Sequence, residues 1–421
     1  MRNAFRKRKI NEFCEVTSSK RIYASDYQLE GIPFYRGKEI GEKHYGNINV
    51  STELFITRKK FDEIRSKFGA PKAGDLLLTS IGALLGLPYV VTQGEEFYFK
   101  DGNVTWFRNL QELDSRFLYY WMLSPQGKGE LQKSKIGSAQ PAFTINLLKQ
   151  MEIELPPLLI QRRIAAILSA YDDLIENNMR RIKILEEMAQ NLYREWFIKF
   201  RFPGYEHARF IDSPQGRIPE GWELIGVLEN KNWSFIHQNI EPYEGKKRYF
   251  ATADIDGITI TGDGIEYLYD QKPSRAQKQP LLNSVWFARM QETYKVLAVA
   301  KPNAILTTNS MLSSGFAGLM ASDEDSFAFL FLTIKSKEFH SEKDRFCTGA
   351  TQRSLTNEGL SSILSISPPR VLVQQFGRFS MSFIEQILTL QLRNQTLRST
   401  RDLLLPNLIS GELDVSEMDI V

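Results

Sequence analysis

Twice in this chain a double proline is followed by a long stretch whose apolar residues recur every 3.5 positions, first after Pro156–Pro157 and again after Pro368–Pro369. Proline lacks a backbone donor and fixes its own φ, so each pair halts the preceding element before a new helix begins. From Ile164 the seam runs through Leu168, Tyr171, Ile175, Asn178, Ile182, Leu185, Ala189, Leu192 and Trp196. Steps of 4, 3, 4, 3 are the pattern of a coiled-coil face. Glu186, Glu187, Arg194 and Lys199 occupy the opposite, charged face. After Pro369 the same rhythm runs from Phe376 through Ser380, Phe383, Ile387, Leu390, Asn394, Leu397, Arg401 and Leu404. This second seam is poorer, since Ser380 and Arg401 are polar, and Pro406 is expected to end it.

Each seam holds one central asparagine, which predicts how the two helices pair. In an antiparallel register whose paired residue numbers sum to 572, Asn178 faces Asn394, Ile182 meets Leu390, Leu185 meets Ile387 and Ala189 meets Phe383. Tyr171 then faces Arg401, which allows a cation–π contact. A parallel register leaves Asn178 near Leu390 or Gln391, and a buried amide without a partner costs roughly 1–3 kcal/mol. The competing reading has each helix packing only on its own preceding domain.

The chain also repeats itself. "GSAQPAFTINLLKQMEIELPP" aligns with "GATQRSLTNEGLSSILSISPP": Gly137, Gln140, Thr144, Leu148, Pro156 and Pro157 match Gly349, Gln352, Thr356, Leu360, Pro368 and Pro369, each 212 residues later. "GIPFYRGKEI" echoes "KKRYFATADI" at an offset of 215, and "GDLLLTS" echoes "PNAILTT" at 228. A period this long indicates two related domains, each followed by a helix, and not a solenoid. "LDSRFLYYWMLS" reads as a helix with no full counterpart in the second half. "EEFYFKDGNVTWF" and "SFAFLFLTI" read as strands, and "LLLTSIGALLGLPYVV" as buried strands joined by a tight turn. The expected fold class is α+β: two pseudo-symmetric domains separated by two long helices in an antiparallel coiled coil. The expected boundaries are a first domain over 1–155, a central helix over 156–200, a second domain over 201–367, a C-terminal helix over 368–410 and a tail over 411–421.

Composition excludes several function classes. A net charge of +3 permits a nucleic-acid partner without requiring one. Two cysteines and four scattered histidines give neither a disulfide framework nor metal-ligand spacing. No apolar region follows the basic start, and the apolar run Leu76–Val91 is 16 residues with Thr, Ser, Gly and Pro inside it, too short to span a membrane. A reducing cytoplasm fits. There is no phosphate-binding loop, because "GKEIGEK" has the wrong spacing. Nor is there an Asn/Asp-Pro-Pro-Tyr/Phe stretch of the kind adenine methyltransferases use. The adjacent carboxylates Asp172 and Asp173 are expected on an exposed helix face. The chain is therefore expected to catalyse nothing by itself.

"LPPLLIQRRIAAILSAYDDLIENNMRRIKILEEMAQNLYREWFIKFRFPG" resembles the central region of the DNA-specificity (S) subunit of Type I restriction–modification systems. "GRIPEGWELIGVLEN" is similar to the start of that family's second recognition domain, and "LLLPNLISGELDV" fits its end. The likeness covers the whole chain, although the last helix opens "VQQFGRF" and lacks the usual Glu-Gln-Arg. The resemblance implies two target-recognition domains, each reading half of an interrupted site in double-stranded DNA. It also implies helices that dock two methyltransferase (M) subunits, with restriction (R) subunits added through the complex. S-adenosylmethionine, ATP and Mg are expected on those partners, and no cofactor on this chain. A helix from Ile164 to Trp196 spans ~50 Å, or about 15 base pairs, which suits two readers in neighbouring major grooves. The competing reading is a homodimeric DNA-binding regulator or scaffold without a methyltransferase.

Basic residues among aromatics and turns suit phosphate clamps. The candidates are Arg36, Lys38, Arg58, Lys59 and Lys60 in the first half and Lys246, Lys247 and Arg248 in the second. Gln140 and Gln352, on matching glycine turns, can read adenine, or else hold a loop or a phosphate; Arg353 adjoins the latter. Asn309 in "TTNSMLSSG" belongs to a recognition loop or a buried strand turn. Arg2, Arg6, Lys7, Arg8 and Lys9 form a phosphate-binding arm or a disordered tail.

Overall fold

The computed structural model describes residues 6–46, 50–138, 140–213 and 216–417. Arg2 lies outside the described residues. The chain divides into two compact units, Met1–Glu176 with Thr396–Val421, and Asn177–Gln395. Both long helices contribute to both units: the central helix is Leu158–Tyr193 and the C-terminal helix is Arg370–Ile409.

Each unit is built on the same four-stranded antiparallel sheet. In the first unit the strand order is Glu15–Thr17, Val104–Arg108, Leu76–Thr79, Pro88–Val90. In the second it is Trp233–Phe235, Phe316–Ala321, Ser284–Ala288, Val296–Val299. Each also holds a smaller sheet around one parallel pair, Ile32–Tyr35 with Tyr98–Phe99 and Lys247–Phe250 with Ser310–Ser313. The 215-residue echo marks these parallel strands. The 228-residue echo marks nothing shared, because "PNAILTT" forms a 3-10 turn and the short helix Leu306–Asn309.

The apolar run "SFAFLFLTI" is a helix, Glu324–Lys335, and not the expected strand. Asp323 caps it by accepting from the Ser326 amide, and its residues Ser326 through Ile334 are all buried. With apolar residues on every side the run has no strand-like or helix-like period to read. This helix is the counterpart that "LDSRFLYYWMLS" was expected to lack. Asp114 caps Ser115–Leu123, Ser124 caps Pro125–Lys133, and in the second unit Ser336 caps Lys337–Arg345.

The threonines and leucines matched at offset 212 are structural. Thr144 and Thr356 cap the short helices Ile145–Lys149 and Asn357–Ser361, each of which buries its leucine, Leu148 and Leu360. A strand then leads to each double proline: Glu152–Leu155 pairs with Arg6–Lys9, and Leu364–Ser367 pairs with Glu223–Gly226. Arg6–Lys9 of the basic start are thus a paired strand and not a disordered tail. Lys7 pairs with Glu152 at 2.7 Å, and Arg8 with Glu12 at 2.8 Å.

The two helices run antiparallel. In the second unit the Asn178 amide donates to Asn394 Oδ1 at 2.8 Å. Ile182, Ile387 and Leu390 share one core there, with Leu185 and Phe383 packed against it. In the first unit Ile164 and Leu168 share a core with Leu408, and Leu404 packs on it; Ile175 is buried and Tyr171 and Leu397 half-buried. Arg401 turns away from the expected ring contact and bonds the Asp172 carboxylate, which also accepts from the Tyr120 hydroxyl at 2.5 Å. Asp172 is therefore half-buried and bridging, whereas Asp173 is exposed as expected. Pro406 sits in the last turn, and the helix continues to Ile409. Beyond it Val415 is fully buried in the first unit's core.

Candidate nucleic-acid interface

In the second unit the strands Cys347–Thr348 and Ser354–Leu355 form a hairpin. Gly349 turns it with φ 126°, and a Cβ there would lie 2.7 Å from the Gln352 carbonyl oxygen. Only glycine fits such a position. The hairpin docks by Leu355 N donating to Arg289 O at 2.9 Å and Gln291 N donating to Arg353 O at 3.0 Å. Arg289 N in turn donates to Gly315 O, and Ser314 N to Arg275 O. These backbone bonds gather Arg275, Lys278, Arg289 and Arg353 from three separate stretches of sequence.

The hydrogen bonds recorded for these cations end on neutral acceptors. Lys278 Nζ donates to Asn239 Oδ1 at 2.9 Å. The Arg289 guanidinium donates to Leu355 O at 2.9 Å and Asn357 Oδ1 at 2.7 Å, and Arg353 to Cys347 O at 3.1 Å. Burial lowers the Arg289 pKa from its ordinary value; burial, and then the Arg289 charge, lowers that of Lys278. Beside them Lys343 is fully buried, donating to Met290 O at 2.7 Å and Thr293 O at 3.1 Å and pairing with Asp344 at 2.9 Å. It staples the loop after Arg289 to the helix Lys337–Arg345.

The small sheet of this unit, ordered Ile265–Tyr267, Lys247–Phe250, Ser310–Ser313, Ala276–Lys278, adds further polar groups. Lys247 donates to Gln279 Oε1 at 2.6 Å and lies 5.0 Å from the Tyr243 ring centroid. Arg248 pairs with Glu266 at 3.1 Å, and Lys246 is exposed. Asn309 is exposed at the end of its short helix, and the residues after it form the buried strand Ser310–Ser313. Gln352 and Arg353 are exposed on the hairpin.

The first unit repeats the hairpin with Lys135–Ile136 and Ala142–Phe143. Gly137 has φ 80°, and a Cβ there would lie 2.8 Å from the Gln140 carbonyl oxygen. Phe143 N donates to Ser80 O at 2.9 Å, as Leu355 N does to Arg289 O. Ser80 thus stands where the second unit has Arg289, and Pro141 where it has Arg353. Ser80 is buried against the Thr105 hydroxyl at 2.7 Å. The cations expected from the sequence here mostly hold carboxylates. Arg36 bonds the buried Glu39 at 2.8 Å, Arg58 bonds Glu96 at 2.7 and 2.6 Å, and Lys60 bonds Asp26 at 3.2 Å. Lys38 lies 3.8 Å from Glu42, while Lys59 and Gln140 are exposed.

Sequence reasoning missed Arg275, Lys278 and Arg289. "PSRAQKQP" and "WFARMQ" show no basic run, and only strand pairing brings them together. Among the described residues no group of His, Cys, Asp or Glu could hold a metal, and no helix is long and apolar enough to cross a membrane.

Residues 3–187 match the family model of the Type I restriction modification DNA specificity domain. The MjaIX specificity subunit of a Type I restriction enzyme of Methanocaldococcus jannaschii is 28% identical, covering 98% of this chain and 94% of that one. The HindI specificity subunit of a Type I restriction enzyme of Haemophilus influenzae is 20% identical, covering 65% and 71%. The crystal structure of a Type I restriction–modification S subunit from M. genitalium matches at a TM-score of 0.56 and 15% identity, covering 96% of each chain.

Proposed function

We propose a division of labour for this chain from the premise that it belongs to the Type I restriction–modification DNA specificity family. It is the sequence-reading, non-catalytic subunit. Each unit reads half of a bipartite site in double-stranded DNA, and the paired helices dock two methyltransferase subunits, through which restriction subunits join. S-adenosylmethionine, ATP and Mg act on those partners, in the cytoplasm. The candidate DNA contacts are the residues on and beside each hairpin and small sheet, from Arg36, Lys38, Lys59 and Gln140 to Lys247, Asn309, Gln352 and Arg353.

One observation carries this reading: two units whose four-stranded antiparallel sheets share one strand order each pack on segments of both antiparallel helices. A duplex with antiparallel strands suits a reader written twice. Exposed apolar side chains on the helices support docking of a partner, namely Leu159 and Leu174 in the first unit and Ile184, Met188 and Phe379 in the second.

Co-purification tests the reading. Capture of a methyltransferase polypeptide at two copies per chain, with adenine methylation at an interrupted site, is expected. A self-assembled dimer that recruits no methyltransferase would favour the regulator reading.

A further inference from the structure

We infer that the two units hold DNA by different physics: the second carries a phosphate clamp, Arg289 and Lys278 flanked by Arg275 and Arg353, and the first has no cation where the second has Arg289 and Arg353. This rests on the DNA-reading function proposed above. A half-buried cation whose hydrogen bonds end on neutral groups keeps an unspent attraction for an anion, whereas one already held by a carboxylate must first give up that partner. Arg289 and Lys278 are of the first kind, and the Arg289 charge weakens the charged form of Lys278. Arg36, Arg58 and Lys60 are of the second kind.

The repeat makes the contrast specific. The same backbone bond that docks each hairpin identifies Arg289 with Ser80, and the 212-residue offset identifies Arg353 with Pro141. Two charged positions of the second unit are therefore a buried hydroxyl and a proline in the first. Lys343 fixes the clamp, since its fully buried ammonium ties down the carbonyls of Met290 and Thr293 directly after Arg289. Its match in the first unit is Leu131, a core residue. The ligand is the duplex sugar–phosphate backbone. The clamp contributes affinity that is strong in low salt and indifferent to sequence, and it sets the register in which the second unit meets its bases.

The test is the salt dependence of duplex binding by the full chain assembled with its methyltransferase partner. Each phosphate contact contributes about 0.9 to the slope of log affinity against log salt. Lys278→Gln should lower the slope by about 1, and Arg289→Gln with Lys278→Gln by about 2, equally on cognate and unrelated duplexes. The methylated sequence should not change. Arg217→Gln, an exposed change on the hairpin Phe210–Ser213/Gly216–Pro219, should leave the slope intact. If the wild-type complex binds DNA and the double variant keeps the full slope, the clamp is refuted while the functional reading survives. If the loss appears only on the cognate duplex, these residues read bases, and the clamp is again refuted. A wild-type complex that binds no DNA overturns both.

Discussion

Asn178 and Asn394 illustrate how single polar residues specify the pairing of two otherwise interchangeable apolar faces. Either asparagine alone would be a liability in a seam; together they satisfy each other at 2.8 Å. Asn394→Leu should therefore destabilise by about 1–3 kcal/mol, because the Asn178 amide is left without its partner. Asn178→Leu with Asn394→Leu should recover most of that loss. A double-mutant cycle by thermal unfolding checks this, and additive losses would rule out the pairing as a source of stability. His340 offers a pH-dependent case. Burial, and then the Lys343 charge, pushes its pKa from 6.5 down to about 4, with Asp344 opposing, Lys335 assisting and the Tyr294 ring 5.0 Å away. Above pH 6.5 both folded and unfolded states are neutral there. Below it the unfolded chain takes the proton first, so stability is lost as pH falls from 6.5 toward 4. His340→Phe should lose less than wild type between pH 7 and pH 5 in urea midpoints; equal losses would contradict the assignment.

At the scale of elements, the helices were legible from spacing and the strands from turn chemistry, whereas of two apolar runs without a period one was read correctly and one was not. Leu76–Thr79 and Pro88–Val90 form the expected buried strand pair. Glu324–Lys335 is instead a helix, buried from Ser326 to Ile334 with its first turn capped by Asp323. That helix also governs how the C-terminal helix approaches. A Cβ on Gly377 would lie 2.1 Å from the Asp325 carbonyl oxygen, so the two helices meet with no room for a side chain. The first unit has Ala165 at the matching position, 212 residues earlier. Gly377→Ala should cost roughly 1–3 kcal/mol by forcing the helices apart, despite alanine's better helix propensity. An unchanged unfolding midpoint would mean the contact is looser than described. The left-handed Phe200 (φ 56°) is tolerated after the π turn Arg194–Ile198 because its ring packs 5.3 Å from Trp222.

For the whole molecule, the first unit contains both ends of the chain. Val415 is buried in its core, and Arg163 donates to the Val415 and Ser416 carbonyls. Deleting residues 412–421 should lower the first unit's melting temperature and leave the second unit's proteolytic protection unchanged; an effect on both would show that the tail acts beyond its own core. Exchanging residues 1–150 for another specificity domain should alter one half-site in a map of methylated adenines, and a change in both halves would contradict independent reading. The duplicated plan and the antiparallel helix register were readable from the chain alone, because periodicity, caps and turn glycines are local signals. The charged cluster of Arg275, Lys278, Arg289 and Arg353, the pairing of Arg58 with Glu96, and the turning of Arg401 to Asp172 came only from the tertiary structure. Strand order decides which distant side chains share a surface, and burial decides which charges find a partner; neither quantity is carried by any short stretch of sequence.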